Sequence, residues 1–495
     1  MLGTILAGIS VQVFPILFMG FKDAQFLKFC CGATEDFMYH MELTRQVIRH
    51  IPPEEPGLAN IALSNYHYWG NIVIGELIRV FRLPFVFTHF QYFGLLISSL
   101  LGLTALSFCQ ITKLKKITAW LLVFFLYFSG DFIYILILIT RRVLDVSPGA
   151  LESGPIFLYN PPRAFSIVIL FAGLSLFSVW IKKKNIYSGI LTAIVLGSTI
   201  GFKANTGIFA LTGLAAVFLF FLFRRRFTML VPILLSAVIS LTIYLPTNKN
   251  SGGLYYSGFW RFDDFATNPN TGLAMLELRR ITYASQNNWL KVLLYNIFFM
   301  ILYTISTFGS KLVGLLQSKK SLSSLDLEMN ILLIVGIIIS TITGFFFLQT
   351  SGEANSFNFI VTVYIMSSIY ASLALSYWFS KMSRYFSLSI VALLVIINLP
   401  RAITESQKTV IMVQKSGGIS NEDIHAMLYI RDHLEKNAII LTQQPFYIFL
   451  AERSIFLGKT GILRSHNVNY AKRNEIVKKI YSEQNNEVLK DILMQ

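Results

Sequence analysis

Residues 164–181 read AFSIVILFAGLSLFSVWI, and the lysine triplet 182–184 follows at once. The run contains no charged residue, and a helix needs about 20 apolar residues to cross the hydrocarbon core of a bilayer. Lysine and arginine are enriched in the cytoplasmic loops of membrane proteins. This stretch therefore predicts a transmembrane helix that ends on the inner side.

The rest of the chain repeats this pattern. Hydrophobic residues make up 54% of the 495 residues and charged residues only 14%, whereas soluble domains carry about 25%. The sequence predicts an all-α polytopic membrane protein with about eleven transmembrane helices. The candidate spans are 2–20, 84–111, 117–139, 164–181, 187–201, 207–223, 228–245, 291–316, 329–348, 359–380 and 385–399.

Clusters of basic residues follow every second span, which sets the orientation. They are Lys113/Lys115/Lys116, Lys182/Lys183/Lys184, Arg224/Arg225/Arg226, Lys319/Lys320 and Lys381/Arg384. We interpret the net charge of +16 as topological charge, not as a nucleic-acid-binding surface. The outward loops are then 21–83, 140–163, 246–290 and 349–358, together with the chain after Pro400.

The first outward loop, 21–83, predicts two amphipathic helices in the outer membrane interface, or two helices that cap the bundle. In the first, apolar residues recur every four positions up to the Pro52-Pro53 turn: Tyr39, Leu43, Val47 and Ile51. In the second, a polar stripe lies behind the apolar residues: Asn71, Gly75, Arg79 and Arg82.

The composition changes after residue 400, which divides the chain into a membrane domain, 1–400, and a small extracytoplasmic α/β domain, 401–495. Four elements are predicted in the second domain from periodicity and from flanking turn residues. They are helices at 421–435 and 470–481 and short strands at 438–442 and 454–457.

The strongest candidate for catalysis is the acid pair Glu35-Asp36 at the start of the first amphipathic helix. Adjacent carboxylates at a membrane surface fit a general base, a metal ligand, or a charge favoured by the helix dipole. His40 follows Asp36 by one helical turn, where it orients the carboxylate or an acceptor hydroxyl, or is merely interfacial.

Aromatic residues surround an Asn and a His at 65–69, with Tyr66 and His67 at the centre. An aromatic belt explains Tyr and Trp, but the same set also suits a sugar ring, whose apolar face stacks while its hydroxyls form hydrogen bonds.

Three further groups lie at outward helix starts. Asn160 and two prolines precede Arg163, which indicates a helix N-terminus with exposed backbone donors, suited to a phosphate or to lipid headgroups. Lys203 and Asn205 interrupt two apolar runs, where the lysine reaches a phosphate or snorkels. The third group could contact substrate and consists of Glu353, Asn355 and Asn358.

In this order the motifs resemble the GT-C superfamily of membrane glycosyltransferases, and in particular uncharacterised bacterial members. The resemblance runs through most of the chain. Its elements are Asp36 with Tyr39-His40, the turn Ile51-Pro52-Pro53-Glu54, Tyr66-His67-Tyr68, Asn160-Pro161-Pro162-Arg163-Ala164, and residues 452–458 near the C-terminus.

The resemblance implies transfer of a sugar from a polyprenyl-phosphate carrier to a glycan, lipid or protein acceptor, on the extracytoplasmic side of a bacterial cytoplasmic membrane. Asp36 would act as general base, with Glu35 beside it, while Arg163 and Lys203 would stabilise the leaving phosphate. A divalent metal, Mg or Mn, at Glu35/Asp36 is left open. Members often carry a second acid in the next outward loop, for which the possibilities are Asp131, Asp145 and Glu152.

Two alternatives remain. A polymerase or ligase of lipid-linked glycans would use the late outward loop, whose basic residues are Arg261, Arg279 and Arg280. A transporter or scaffold would need polar groups in the middle of its spans and paired broken helices, and the sequence shows one such break, at 201–207.

Overall fold

The computed structural model describes residues 1–29, 34–146, 154–249, 253–350, 353–415, 418–442 and 445–483. The side chains of Glu35 and Glu353 lie outside the described residues, as does Glu152. The helices are, in chain order, α1 (Leu2–Leu17), α2 (Thr34–Arg49), α3 (Trp69–Phe81), α4 (Phe85–Ile111), α5 (Lys116–Phe128), α6 (Ile133–Arg141), α7 (Pro161–Lys183), α8 (Ile186–Phe202), α9 (Ala204–Phe223), α10 (Phe227–Thr247), α11 (Trp260–Thr267), α12 (Ala274–Ser285), α13 (Trp289–Leu315), α14 (Lys319–Leu322), α15 (Leu327–Phe346), α16 (Phe357–Phe379), α17 (Arg384–Lys415), α18 (Asn421–His433), α19 (Thr460–Ser465) and α20 (Ala471–Ser482).

Eight helices in the described part of the chain are long and apolar enough to cross a membrane. They are α4, α7, α9, α10, α13, α15, α16 and α17. The pair α5 and α6 brings the number to nine if it is one span, because its two halves are bent by 60°. The two remaining predicted spans are the shorter apolar helices α1, with 16 residues, and α8, with 17. The structure thus shows a multi-pass helical membrane protein, with fewer full-length spans than the eleven expected.

The centre of the bundle is α16. In its most apolar stretch of 18 residues, 94% of the residues are buried inside the protein. It packs against α5, α9, α15 and the last turns of α13. Helix α7 packs between α4 and α8, and 78% of the residues in its most apolar stretch of 18 are buried. The N-terminal ends of α7, α9 and α16 lie close together, because Ser166 donates to Thr206 at 2.9 Å and Thr206 lies 3.4 Å from Thr362.

Short strands connect distant outward segments. The strands are β1 (Phe26–Lys28), β2 (Leu254–Tyr256), β3 (Phe347–Gln349), β4 (Gly418–Ser420), β5 (Ile439–Ile440) and β6 (Ser454–Ile455). Strand β1 pairs antiparallel with β4, and β2 pairs antiparallel with β3. Strand β5 pairs in parallel with β6. The first pairing fastens the first outward loop to the chain that follows α17.

The proposed boundary at residue 400 falls inside a helix, since α17 continues through Pro400 to Lys415. The four elements expected further along the chain correspond to α18, β5, β6 and α20. These elements pack on the first outward loop: the Ala59 N–H donates to the Ile455 carbonyl, and Leu58 packs against Leu457 and Leu463. The first outward loop and the segment 418–483, here called the C-terminal segment, share a core.

Helix α2 is more deeply buried than an amphipathic pattern indicates, because every side chain from Phe37 to Thr44 is buried in protein. Its placement in the outer membrane interface stays a prediction. One side of the helix packs with Leu63 and Ile462, and the other side joins the main hydrophobic core. A four-residue apolar repeat reports one buried face, but it cannot show that a second layer of protein covers the polar face as well.

The polar stripe expected to face outward from α3 is in part its packing face. Asn71 is 2% exposed, and Gly75 faces the Ile48 side chain of α2. A Cβ at position 75 would lie 3.1 Å from Ile48 Cγ1, so the glycine allows α2 and α3 to approach. Arg79, by contrast, is exposed and pairs with Glu76 at 2.5 Å.

Candidate active site

Asp36 lies in the first turn of α2, and Asn160 fixes its carboxylate. The Asn160 side-chain oxygen accepts the Arg163 N–H at 3.1 Å and so caps α7, as the sequence predicted. Its amide nitrogen donates to Asp36 Oδ2 at 3.0 Å. The Asp36 side chain remains 38% exposed, so the other oxygen can be reached by a substrate. The sequence identified the cap but not its second contact, because nothing in the local pattern links positions 36 and 160.

His40 stands behind Asp36 as a neutral imidazole. Asn71 donates through its amide nitrogen to the His40 carbonyl and to Thr44, so its oxygen faces His40 Nδ1 as an acceptor at 3.2 Å. Nδ1 therefore carries the proton, and Nε2 accepts from the Tyr66 hydroxyl at 3.2 Å. Burial lowers the pKa of His40, an effect that the Asp36 carboxylate partly offsets. Nε2 lies 3.8 Å from Asp36 Oδ1, which is longer than a hydrogen bond.

Two buried cations lie on the bundle side of this carboxylate: Lys203 interacts with Asp36, and Arg163 interacts with Lys203. Lys203 is 4% exposed at the break between α8 and α9, and Arg163 is 6% exposed in the first turn of α7. Burial lowers the pKa of Lys203 to about 8, with Asp36 opposing the shift and Arg163 adding to it. Lysine and arginine side chains held together without water attract an anion strongly.

The backbone donors expected at the start of α7 are not available. Pro161 and Pro162 have no N–H, Asn160 accepts the Arg163 N–H, and the Ala164 N–H donates to the Asn160 carbonyl. The expectation of a phosphate site built from helix N–H groups is therefore wrong at this position. Any role in anion binding rests on the side chains of Arg163 and Lys203.

A cleft of about 160 Å³, here called the amide cleft, opens beside Lys203. Its lining combines five carboxamides with aromatic rings, and none of the described lining residues is acidic. The carboxamides are Asn65, Asn205, Asn248, Gln349 and Asn355. The aromatic residues are Tyr66, His67, Tyr68, Trp69, Tyr244 and Phe359. Aromatic faces beside neutral hydrogen-bonding groups are a suitable surface for a sugar.

The structure brings together most of the residues selected from the sequence. Tyr66, His67, Lys203, Asn205 and Asn355 line the amide cleft. His67 Nε2 is buried and has no hydrogen-bond partner among the described residues, and burial lowers the pKa of His67 well below its usual value.

Other selected residues lie outside the lining. Asp36, His40 and Arg163 join the site through the hydrogen bonds and charges described above, although they do not line the cleft. Asn358 is buried behind Asn355, to whose carbonyl it donates at 3.2 Å. Sequence reasoning missed Asn248 and Gln349, which come from the ends of α10 and β3 and belong to no local motif.

The basic residues of the late outward loop are largely occupied. Arg280 pairs with Glu277 at 2.6 Å and with Asp263 at 3.2 Å, and Arg261 pairs with Asp264 at 3.1 Å. A polymerase or ligase of lipid-linked glycans would need arginines that are available to substrate in this loop. Arg261 and Arg280 do not meet this need, because both are paired with acids. Asp131, expected as a possible second acid, pairs with Arg401 at 3.5 Å.

Comparison with known proteins identifies the fold. No family model matches the sequence, and no curated protein matches it. Among solved structures, the oligosaccharyltransferase of Archaeoglobus fulgidus in complex with Zn and sulfate matches with a TM-score of 0.58 and 12% identity. The match covers 99% of this chain and 66% of that protein. The chain has the GT-C fold. The architecture that the motifs indicated is thereby confirmed.

Two further structures of the Archaeoglobus fulgidus enzyme agree with this result. One is tethered to an acceptor peptide containing an NVT sequon, with a TM-score of 0.55 and 12% identity. The other, AglB with an inhibitory peptide and a dolichol-phosphate, has a TM-score of 0.55 and 11% identity. Each match covers 99% of this chain and 67% of that protein. The GT-C chain described here thus spans about two thirds of their length, and at this identity the likeness is one of fold.

Around Asp36, the residues that the structure describes do not form a ligand set for a divalent cation. In the part of the chain that the structure describes, no group of three or more His, Cys, Asp and Glu side chains could hold a metal ion. Asp36 Oδ2 is engaged by a neutral amide, and Oδ1 faces His40. A metal at Glu35/Asp36 thus remains a prediction, and no step of the reaction is derived through one.

Proposed function

We propose that the protein transfers a sugar from a polyprenyl-phosphate carrier to a hydroxyl acceptor on the extracytoplasmic face of a bacterial cytoplasmic membrane, with Asp36 as general base. One observation carries this proposal: an accessible carboxylate, fixed by Asn160, faces two buried cations beside a cleft of carboxamides and aromatic rings. The GT-C fold supports it, because neighbours of this fold bind dolichol-phosphate and an acceptor peptide.

The reaction follows from the charges. Asp36 takes the proton of the acceptor hydroxyl, and the acceptor oxygen forms a bond to the anomeric carbon. The bond from that carbon to the phosphate oxygen breaks, and the lipid phosphate leaves with the electron pair. Negative charge accumulates on the phosphate, where Lys203 and Arg163 stabilise it. Because phosphate is a good leaving group, no strong general acid is required.

His40 supports the base. Its imidazole, held by Asn71 on one nitrogen and by Tyr66 on the other, lies 3.8 Å from Asp36 Oδ1 and borders that oxygen on its buried side. A neutral imidazole at this place keeps the Asp36 carboxylate free for the acceptor, whereas a permanently charged residue would hold it in an ion pair.

The donor sugar occupies the amide cleft. This cleft opens beside Lys203, so a sugar bound in it would lie next to the cation that meets the carrier phosphate. Trp69 offers a stacking face, while Asn205 and Asn355 offer donors and acceptors to hydroxyls. The acceptor, a glycan, lipid or protein, approaches Asp36 from its exposed side.

The test uses the full chain in proteoliposomes with a panel of polyprenyl monophosphates that carry a single labelled hexose, pentose or N-acetylhexosamine. We expect at least one donor to be consumed, with release of polyprenyl monophosphate. If none is consumed in the presence of soluble glycan, peptide and lipid acceptors, the proposal is wrong.

Affinity for the leaving phosphate should depend on pH through Lys203. With a pKa of about 8, its ammonium is mostly charged at pH 7 and mostly neutral at pH 9. A phosphate monoester, with a second pKa near 6, keeps its charge across this range. We expect the affinity for polyprenyl monophosphate to fall about tenfold from pH 7 to pH 9. Binding to the protein in nanodiscs measures this directly.

Lys203→Arg is the matched variant, because a guanidinium stays charged at pH 9. Its affinity should be nearly constant across the same range, while Lys203→Gln should bind weakly at both pH values. An equal decline in the native protein and in Lys203→Arg would show that another group titrates.

A further inference from the structure

The ring of Tyr66 packs against two imidazoles. His67 stacks on it, with ring centroids 4.3 Å apart and planes inclined by 22°. His466 is the second contact, with centroids 4.5 Å apart and an inclination of 38°. His67 is the next residue in the chain, whereas His466 comes from the C-terminal segment. The site next to Asp36 is therefore completed by a residue from the far end of the chain.

Several hydrogen bonds fix His466 in this place. Its Nδ1 lies 3.2 Å from Glu55 Oε2, and both side chains are buried. A carboxylate only accepts, so Nδ1 carries the proton and donates to Glu55. The Asn65 side chain donates to the His466 carbonyl at 2.6 Å. Glu55 also accepts the Tyr39 hydroxyl at 3.3 Å.

The Tyr66 hydroxyl connects these contacts to His40 and so to Asp36, the proposed base. The Tyr66 hydroxyl, at the end of the clamped ring, donates to His40 Nε2, and that same atom lies 3.8 Å from Asp36 Oδ1. If the ring tilted, the hydroxyl would leave Nε2, and the imidazole would lose the partner that sets its position relative to Asp36. The rigidity of the ring thus determines the geometry of His40.

We propose that His466, paired with Glu55, is a positioning residue that clamps Tyr66 so that its hydroxyl holds His40 beside Asp36. This inference rests on the proposed function, since it assigns His466 a role in the same transfer reaction. It also gives the C-terminal segment a role in the site, because the pairing of β1 with β4 and the shared core hold that segment against the first outward loop.

The kinetic test measures sugar transfer by the full chain with the donor consumed by the native protein. His466→Ala should lower kcat about ten- to hundredfold, as expected for a small displacement of catalytic groups, with KM for the donor changed less than about threefold. His425→Ala is the control: this histidine is exposed on α18 of the same segment and should leave kcat unchanged.

A double-mutant cycle separates positioning from a merely structural role. Tyr66→Phe keeps the ring and removes the hydroxyl, so its kcat should fall to a similar level. Because both changes act through that hydroxyl, adding His466→Ala to Tyr66→Phe should cause almost no further loss. If the two losses multiply, His466 does not act through Tyr66 and the proposal is overturned.

A second variant guards against misfolding caused by an unpaired Glu55. In Glu55→Gln/His466→Phe, a ring again covers Tyr66 and the buried carboxylate is gone. We expect kcat within about fivefold of the native value in this double variant. A kcat as low as that of His466→Ala, in a protein that melts at the native temperature, would contradict the clamp.

A readout without turnover distinguishes the clamp from the reaction. In protein labelled with 3-fluorotyrosine, Tyr66→Phe identifies the Tyr66 ¹⁹F resonance, and His466→Ala should shift it. An unshifted resonance overturns the clamp. If it shifts but no donor is consumed by the native protein, the clamp stands and the proposed function fails. If it shifts and Asp36→Asn transfers sugar at the native rate, Asp36 is not the base, and the catalytic role of His466 through His40 and Asp36 fails with it.

Discussion

Asp36→Asn is expected to lower the rate of sugar transfer by about 10²- to 10⁴-fold, the range contributed by a general base. Asparagine has the shape of aspartate and its oxygen can still accept from Asn160, so the fold around α2 should be kept. Its amide cannot take a proton from the acceptor hydroxyl. The measurement is the initial rate of transfer from the donor panel in proteoliposomes.

Glu76→Gln provides the control for this prediction. Glu76 belongs to the same loop and is exposed on α3. Among the described residues, its ion pair is with Arg79. Its loss should leave transfer unchanged. Binding of polyprenyl monophosphate to Asp36→Asn should be native or tighter, because a negative charge near the two cations is removed. If Asp36→Asn transfers sugar at more than about a tenth of the native rate, another group is the base.

Features encoded in short stretches of sequence were predictable. An apolar run of sufficient length specifies a helix in the membrane whatever its neighbours are, so ten of the eleven candidate spans fall on one helix each and 117–139 falls on the bent pair α5 and α6. The cap at Asn160 could also be predicted, because Asn followed by two prolines stabilises the start of a helix without tertiary contacts. The order of the motifs led to the GT-C fold.

The length and surroundings of the helices were less predictable, because tertiary contacts determine them. The helix through Pro400 continues to Lys415, where hydropathy indicated an end. The polar face of α2 is buried, which a periodic pattern cannot reveal when the covering layer comes from the far end of the chain.

In the candidate site, too, residues in local motifs were predictable and residues that depend on tertiary contacts were not. Local motifs identified Asp36, His40, Tyr66 and Lys203, since each stands out within its own segment. Glu55 and His466 did not stand out, although the structure places them in contact across 411 residues. A buried hydrogen bond of this kind forms only when two segments fold together, so neither residue alone signals it.

The largest expected effect on stability concerns Arg401, which lies in α17 directly after Pro400. Arg401 is 3% exposed, and its Nη2 lies 2.7 Å from Glu405 Oε1. Its Nε lies 3.5 Å from Asp131 Oδ2, and Asp131 is 2% exposed. Arg401 also donates to the Val146 carbonyl at 2.7 Å. One cation thus balances two buried carboxylates at the bend between α5 and α6, and it holds the end of the chain that leaves α6.

Arg401→Met should therefore destabilise the protein by about 3–5 kcal/mol, because two acids would remain buried without their cation. We expect the melting temperature in detergent to fall by several degrees. Arg384→Met removes an exposed arginine from the same helix and should melt like the native protein. Combining Arg401→Met with Asp131→Asn and Glu405→Gln removes both stranded charges and should restore most of the loss. If Arg401→Met melts at the same temperature as Arg384→Met, the cluster of Arg401, Asp131 and Glu405 does not stabilise the bend. If the triple variant is no more stable than Arg401→Met, the loss comes from packing and the Val146 contact, because charge balance would have recovered it.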